Sequence, residues 1–331
     1  MTKSFDIRSH LAKNPVLLAP MAGVNDPVFR EICKRMGAGL TYSEMVSAQG
    51  LAHASQRTQE LLSISDAEKP AAVQLFGKDP TVLAAQAQAI VDQYGDRLAL
   101  IDINMGCPVR KVAGKGEGAA LLKDPAAARS ILETVVRSTD CPITVKFRKG
   151  FERHEDTAVE FAKMAESCGV AAITVHGRSA RQLYQGESDR AVIARVKEAV
   201  SIPVIASGDV WTPADVHDYL QVQKANGVMV ARGAQGNPWI FARALALLNG
   251  NTTFADTPVT LAERITVASE HLHKLALRFP LRLPTMKKHL SWYFKGMTHA
   301  SAIRRAAHSC SSVTDFEQLL DNITRWEIDD L

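Results

Sequence analysis

Short apolar runs recur along the first three quarters of the chain, and between them the apolar positions repeat at helical spacing. Eight such runs stand out: Val16 to Ala19, Gly39 to Met45, Ala71 to Phe76, Leu98 to Asn104, Pro142 to Phe147, Ala171 to His176, Pro203 to Ser207 and Gly227 to Ala231. The intervening segments carry helix-start signals. Asp79-Pro80, Asp124-Pro125, Thr212-Pro213 and Asn237-Pro238 each place a capping side chain before a proline that suits the first helical position. Strand and helix alternating in this way predict a parallel sheet. Eight units in about 250 residues match a (β/α)8 TIM barrel, whereas an open doubly wound sheet usually stops at five or six strands.

The strand pattern ends at Gly250. From Leu261 onward the chain reads as several amphipathic helices, with Trp292, Tyr293, Phe294, Phe316 and Trp326 as packing anchors. The expected organisation is therefore a barrel domain over residues 1–250 and an all-α helical domain over 251–331, joined through Asn249 to Pro258. From His271 to Thr314 no acidic residue occurs, while Lys274, Arg278, Arg282, Lys287, Lys288, Lys295, Arg304 and Arg305 are basic. That stretch is a candidate nucleic-acid surface, and a merely solvated helix face is the plainer alternative.

An apolar content of 46% and a charged content of 22% exclude a disordered or fibrous chain. Met1 to Pro15 has no apolar core that could serve as a signal peptide, and runs such as Pro15 to Ala22 fall short of the roughly 20 residues a membrane helix needs. A cytoplasmic protein without a membrane partner is expected. The five cysteines are scattered, with no C-x-x-C pair, so reduced thiols and no metal are expected. A formal net charge of +4 says little about partners until its distribution is known.

In a (β/α)8 barrel, catalytic groups gather at the C-terminal ends of the strands. There this chain places Ala19-Pro20-Met21-Ala22-Gly23, Gln74, Asn104-Met105-Gly106-Cys107-Pro108, Lys146 with Arg148, and His176-Gly177-Arg178. The seventh and eighth runs end in Ser207-Gly208-Asp209 and Ala231-Arg232-Gly233, where this fold often binds phosphate through backbone N–H groups. A phosphorylated cofactor follows, with Arg232 as a bidentate donor and Lys146 as a cation beside an electron-accepting ring, which points to FMN. Lys146 lies between Val145 and Phe147, where a buried ammonium is costly without an anion. Cys33 and Cys168 fall in helical patterns and Cys141 just before a strand, as packing residues do. Cys107 sits in a polar loop at the mouth, and with an unperturbed pKa near 8.5 it can donate a proton in a reduction.

These segments together resemble the tRNA-dihydrouridine synthase family. The resemblance runs through APMAGVNDPVFR, SEM at Ser43 to Met45, IDINMGCP at Ile101 to Pro108, VKFRKG at Val145 to Gly150, VHGRSA at Val175 to Ala180, IPVIASGDV and ARGAQGNPWIF. KHLSWYF at Lys288 to Phe294 is similar to the helical domain of the bacterial B-type subfamily. The resemblance implies tightly bound FMN, recharged by NADPH, reducing the C5=C6 bond of specific uridines in tRNA, with hydride passing from flavin N5 to C6 and Cys107 protonating C5. It implies that Pro20, Met21, Ala22, Gln74, Lys146, His176, Ser207, Gly208, Asp209, Ala231 and Arg232 hold the flavin. Asn104, Arg148 and Arg178 match positions that meet the uracil or its flanking phosphates. With tRNA as substrate, the basic helices become its expected docking face, and a monomer is expected. Ser207 stands where the family often has asparagine, Ala231 where it often has glycine, and Glu117 adds a negative charge to the Gly114 to Gly118 loop, which lacks Walker spacing. Two other readings stay open: a dihydroorotate dehydrogenase-like flavoprotein acting on a free pyrimidine, and a non-catalytic RNA-binding barrel.

Overall fold

A computed structural model of the chain describes residues 5–53 and 56–329. The expected domain limits at residues 1 and 331 lie outside the described residues. Eight parallel strands run β1 (Val16–Leu18), β2 (Tyr42–Ser47), β3 (Ala71–Phe76), β4 (Leu98–Met105), β5 (Ile143–Arg148), β6 (Ala172–His176), β7 (Val204–Ser207) and β8 (Gly227–Val230), each inside or against one of the eight apolar runs. Their spatial order is β1-β8-β7-β6-β5-β4-β3-β2. The ring closes just ahead of β2. Gly39 N–H donates to Val16 C=O at 2.8 Å, and Leu18 N–H donates to Leu40 C=O at 2.9 Å. Glycine is required there, because a Cβ on Gly39 would lie 2.6 Å from the carbonyl oxygen of Asn14. The second run is thus split between closing the barrel and forming regular β2.

Three of the four expected helix starts cap as the chemistry dictates. Asp79 accepts from Thr81 and Val82 N–H, Asp124 from Ala127 N–H, and Thr212 from Asp215 N–H in a reciprocal capping box. Asn237-Pro238 does not start a helix. The Asn237 amide instead donates to Gly233 C=O at 3.2 Å, Pro238 and Trp239 form a turn, and the helix begins at Ile240. Asp26-Pro27 is a further start of the same kind, with Asp26 capping Phe29 N–H of the helix Pro27–Arg35.

The barrel interior is apolar at one end and polar at the other. Leu17, Leu40, Leu100, Ile205 and Met229 fill the lower half, sealed by Ile7 and Leu11 of the short helix Ile7–Lys13. Above them lies a buried polar layer in which register pairs Gln74 with Asp102 and Asp102 with Thr144. Only the C-terminal mouth therefore has room and polarity for a ligand.

The C-terminal helices Leu261–Arg278, Met286–Tyr293, Ala300–Ser309 and Val313–Asp329 pack around Leu272, Leu290, Phe294, Ile303 and Phe316. Val28 and Ile32 of the barrel helix and Trp239 belong to the same cluster, so an apolar contact joins this region to the barrel. Tyr293, Phe294 and Phe316 are fully buried anchors, while Trp292 and Trp326 are half-buried.

The acid-free run does not make an acid-free surface. Arg278 pairs with Glu31 and Arg282 with Glu44, both carboxylates coming from the barrel, and Lys274 pairs with Glu270 one turn earlier. Lys287, Lys288, Lys295, Arg304 and Arg305 have no carboxylate partner among the described residues. Glu44 also accepts from the Gly23 N–H with its other oxygen, linking the loop after β1 to the segment Pro280–Thr285. No helix of the described residues is long and apolar enough to cross a membrane.

Candidate functional site

A cavity of about 550 Å³ opens at the C-terminal mouth, and fourteen of the fifteen site residues named from sequence line it. Pro20, Met21 and Ala22 form the wall after β1. Gln74, Asn104, Lys146, Arg148, His176 and Ser207 rise from successive strands, and Gly208, Asp209, Ala231 and Arg232 close the far side. Arg178 is the exception.

Cys107 is held by a relay that begins in the polar layer. Thr144 Oγ1 donates to Asp102 at 2.6 Å, and Gln74 Nε2 donates to the other Asp102 oxygen at 2.7 Å. With its amide so oriented, Gln74 presents Oε1 to Asn104 Nδ2 at 2.8 Å. Asn104 Oδ1 in turn accepts from Gly106 and Cys107 N–H at 3.1 and 2.9 Å. On the other side, Cys107 C=O accepts from Ala119 N–H. Gly118 has φ +58°, and a Cβ there would lie 2.8 Å from that carbonyl oxygen. Burial raises the Cys107 thiol pKa, against the Val109 amide and the charges of Arg148 and Lys146, so the sulfur is protonated at neutral pH. Burial likewise raises Asp102 to about 6, opposed by its two hydrogen bonds and by Lys146.

Positive charge dominates the mouth. Lys146 makes no hydrogen bond or ion pair among the described residues, and burial, with the Arg148 charge, lowers its pKa to about 8. Burial pulls Arg148 down to about 10. Its guanidinium donates to the carbonyls of Gly106, Ser179 and Leu183, tying the cysteine loop to the loop after β6. His176 is held well below its ordinary pKa by burial and by the charges of Arg148 and Lys146, so its ring is neutral, and its buried Nε2 has no hydrogen-bond partner.

Arg178 is 2% exposed and lies behind the cavity, gripping both oxygens of Asp209 at 2.8 and 2.6 Å. Asp209, at φ +45°, also accepts from Arg232 at 3.1 Å and from Ser188 N–H at 2.9 Å. Asp209 therefore aims the Arg232 guanidinium, which lies over the rings of Tyr184 and Trp211 at 4.5 and 4.6 Å. At Gly208, with φ +120°, a Cβ would lie 2.2 Å from Ser188 Oγ and 2.8 Å from the His176 ring. The backbone can approach a ligand closely only without it.

Sequence reasoning passed over Asp102, Thr144, Tyr184 and Trp211. Asp102 left a signal, a carboxylate inside the apolar run LALIDINM; the two aromatics sit in loops whose positions no periodicity fixes.

A parallel barrel whose mouth carries a protonated thiol, unpartnered cationic and imidazole nitrogens and an aimed arginine is built as an anion-binding enzyme site. Its fold is similar to that of histamine dehydrogenase from Rhizobium sp. 4-9, at TM-score 0.57 and 14% identity over 79% of this chain and 49% of that one. The chain belongs to the dihydrouridine synthase family, whose model, described as "Dihydrouridine synthase (Dus)", matches residues 17–327. It is 38% identical to tRNA-dihydrouridine synthase B of Pseudomonas aeruginosa over 312 residues, covering 92% of each chain. It is 36% identical to the enzyme of that name from Vibrio parahaemolyticus, over 96% of this chain and 99% of that one.

Proposed function

We propose that this chain is a tRNA-dihydrouridine synthase that uses FMN and NADPH to reduce the C5=C6 bond of specific uridines in tRNA. The observation that carries the reading is the Cys107 thiol, fixed by Asn104 beside Lys146 and Arg148 in the barrel mouth. Family membership and the two B-type relatives favour it over a dihydroorotate dehydrogenase-like or non-catalytic barrel.

The residues fit a flavin mononucleotide. The unpartnered Lys146 ammonium and His176 Nε2 await polar contacts, Gly208 leaves space where a Cβ would clash, and Arg232 is aimed as a phosphate donor. Pro20, Met21, Ala22, Gln74, Ser207, Asp209 and Ala231 complete the cradle. FMN, when bound, supplies the hydride for uracil C6 and is recharged by NADPH.

The Cys107 Sγ–H donates its proton to uracil C5, and the thiolate left behind is stabilised by Lys146 and Arg148 until solvent reprotonates it. Asn104 holds the cysteine backbone in place, and Arg148 braces the two loops that flank the sulfur. Arg178 acts through Asp209 on Arg232. Because the uracil must leave its stack to reach the thiol, the tRNA lies across the mouth, with Lys287, Lys288, Lys295, Arg304 and Arg305 as its phosphate contacts. The barrel domain (1–250) does the chemistry and the helical domain (251–331) holds the RNA, in a cytoplasmic monomer.

Mass spectrometry of tRNA from cells lacking this protein tests the reading. One or more dihydrouridines should disappear, return with the wild-type chain, and stay absent with Cys107→Ala. An unchanged dihydrouridine map, or full rescue by Cys107→Ala, overturns it.

A further inference from the structure

Away from the mouth, Asp26, His271 and His289 meet where the barrel and the C-terminal helices pack, and none of the three touches solvent. Asp26 caps the barrel helix Pro27–Arg35, while His271 and His289 come from the helices Leu261–Arg278 and Met286–Tyr293. One donor atom from each lies within 4.8 Å of the others. His271 Nε2 and His289 Nε2 stand 3.1 and 3.2 Å from the same oxygen, Asp26 Oδ2. Ligands bound at about 2.0–2.1 Å around a tetrahedral zinc ion are about 3.3–3.4 Å apart, so small shifts of these side chains would seat one.

Hydrogen bonding alone leaves His289 unexplained. Both its ring nitrogens are buried without a hydrogen-bond partner, a costly state for a polar ring. Charge points the same way. A buried carboxylate needs a cation, yet the nearby Arg30 guanidinium is taken by both oxygens of Glu68 at 2.7 and 2.8 Å. His271 is already dressed as a ligand, because Tyr293 Oη lies 2.9 Å from its Nδ1 and orients the ring with Nε2 toward Asp26.

We propose that Asp26, His271 and His289 bind a divalent transition-metal cation of the zinc class, which staples the first barrel helix to the two C-terminal helices. Two imidazoles and a carboxylate suit this class, and a water or hydroxide completes the coordination. With all three ligands buried, the ion is structural and is acquired as the helices close over it. The proposal is independent of the flavin chemistry at the mouth, and either can fail without the other.

The test uses the full chain, expressed without a metal-binding tag in zinc-supplemented medium. Elemental analysis should find close to one zinc per chain, and chain refolded with CoCl2 should show the visible d–d absorption of tetrahedral cobalt. Chelator should lower the thermal midpoint of the wild type, and ZnCl2 should restore it. His289→Gln should lose the metal and the chelator response while keeping the cavity at the mouth. Wild-type chain free of metal, silent with CoCl2 and indifferent to chelator would overturn the proposal without any variant, leaving a proton-held ion pair.

Discussion

Replacing Arg178 with methionine separates two roles for this residue. Facing RNA, it would affect tRNA binding alone; gripping Asp209, it supports the fold and the aim of Arg232. Its guanidinium is 2% exposed and makes two bonds to Asp209, itself 17% exposed at the side chain. Removing one partner of a buried ion pair costs about 3–5 kcal/mol. Asp209 keeps Arg232 and the Ser188 amide, so the low end applies, about 3 kcal/mol. At roughly 2–4 °C per kcal/mol for a domain of this size, the midpoint should fall on the order of 6–10 °C. Thermal melts of flavin-free protein read this directly, and flavin fluorescence titration should show weaker FMN binding as Arg232 loses its orientation. Arg178→Lys should recover little, since one ammonium cannot reproduce the fork. An unchanged midpoint and flavin affinity together with weaker tRNA binding would refute the reasoning and return Arg178 to the RNA.

Other expectations follow from the same geometry. Lys146 titrates at about 8 when folded and near 10.4 when unfolded, so across that interval the unfolded chain binds more protons and the fold gains stability as pH rises. Flavin-free Lys146→Met should therefore be more stable than wild type at pH 7, with the two converging toward pH 10; denaturant melts that keep a constant gap would contradict this. Gly118→Ala forces a Cβ against the Cys107 carbonyl at a left-handed backbone position, and should cut uridine reduction at least tenfold while FMN stays bound. Steady-state assays at normal rate would show that the loop yields. Neutralising Lys288, Lys295, Arg304 and Arg305 should lower the slope of log Kd against log salt by about one for each of these side chains that meets a phosphate, whereas Lys274→Ala should leave it unchanged because Glu270 already holds that charge.

The barrel was legible because each strand is a short apolar run and the C-terminal end of each run is a position in the sequence as well as in space. That is why Gln74, Asn104, Cys107, Lys146 and His176 fall at one mouth on sequence alone. What stayed hidden depends on partners remote in sequence. Gly39 closes the ring against β1, a contact no local pattern announces. Arg178 looks like a rim arginine until Asp209 is placed against it. The run from His271 to Thr314 looks wholly cationic until Glu31 and Glu44 arrive from the barrel. Asn237-Pro238 has the residues of a helix start, but its amide is drawn to Gly233, and the chain turns first.

Glu44 reaches in two directions, with one oxygen on the Gly23 amide and the other on Arg282. It works as a lever whose arms end on the cavity wall and on the C-terminal segment that flanks the basic helices. Cargo that pushes the Arg282 segment tugs the Pro20 to Gly23 wall along with it, so engagement outside and grip within are mechanically geared.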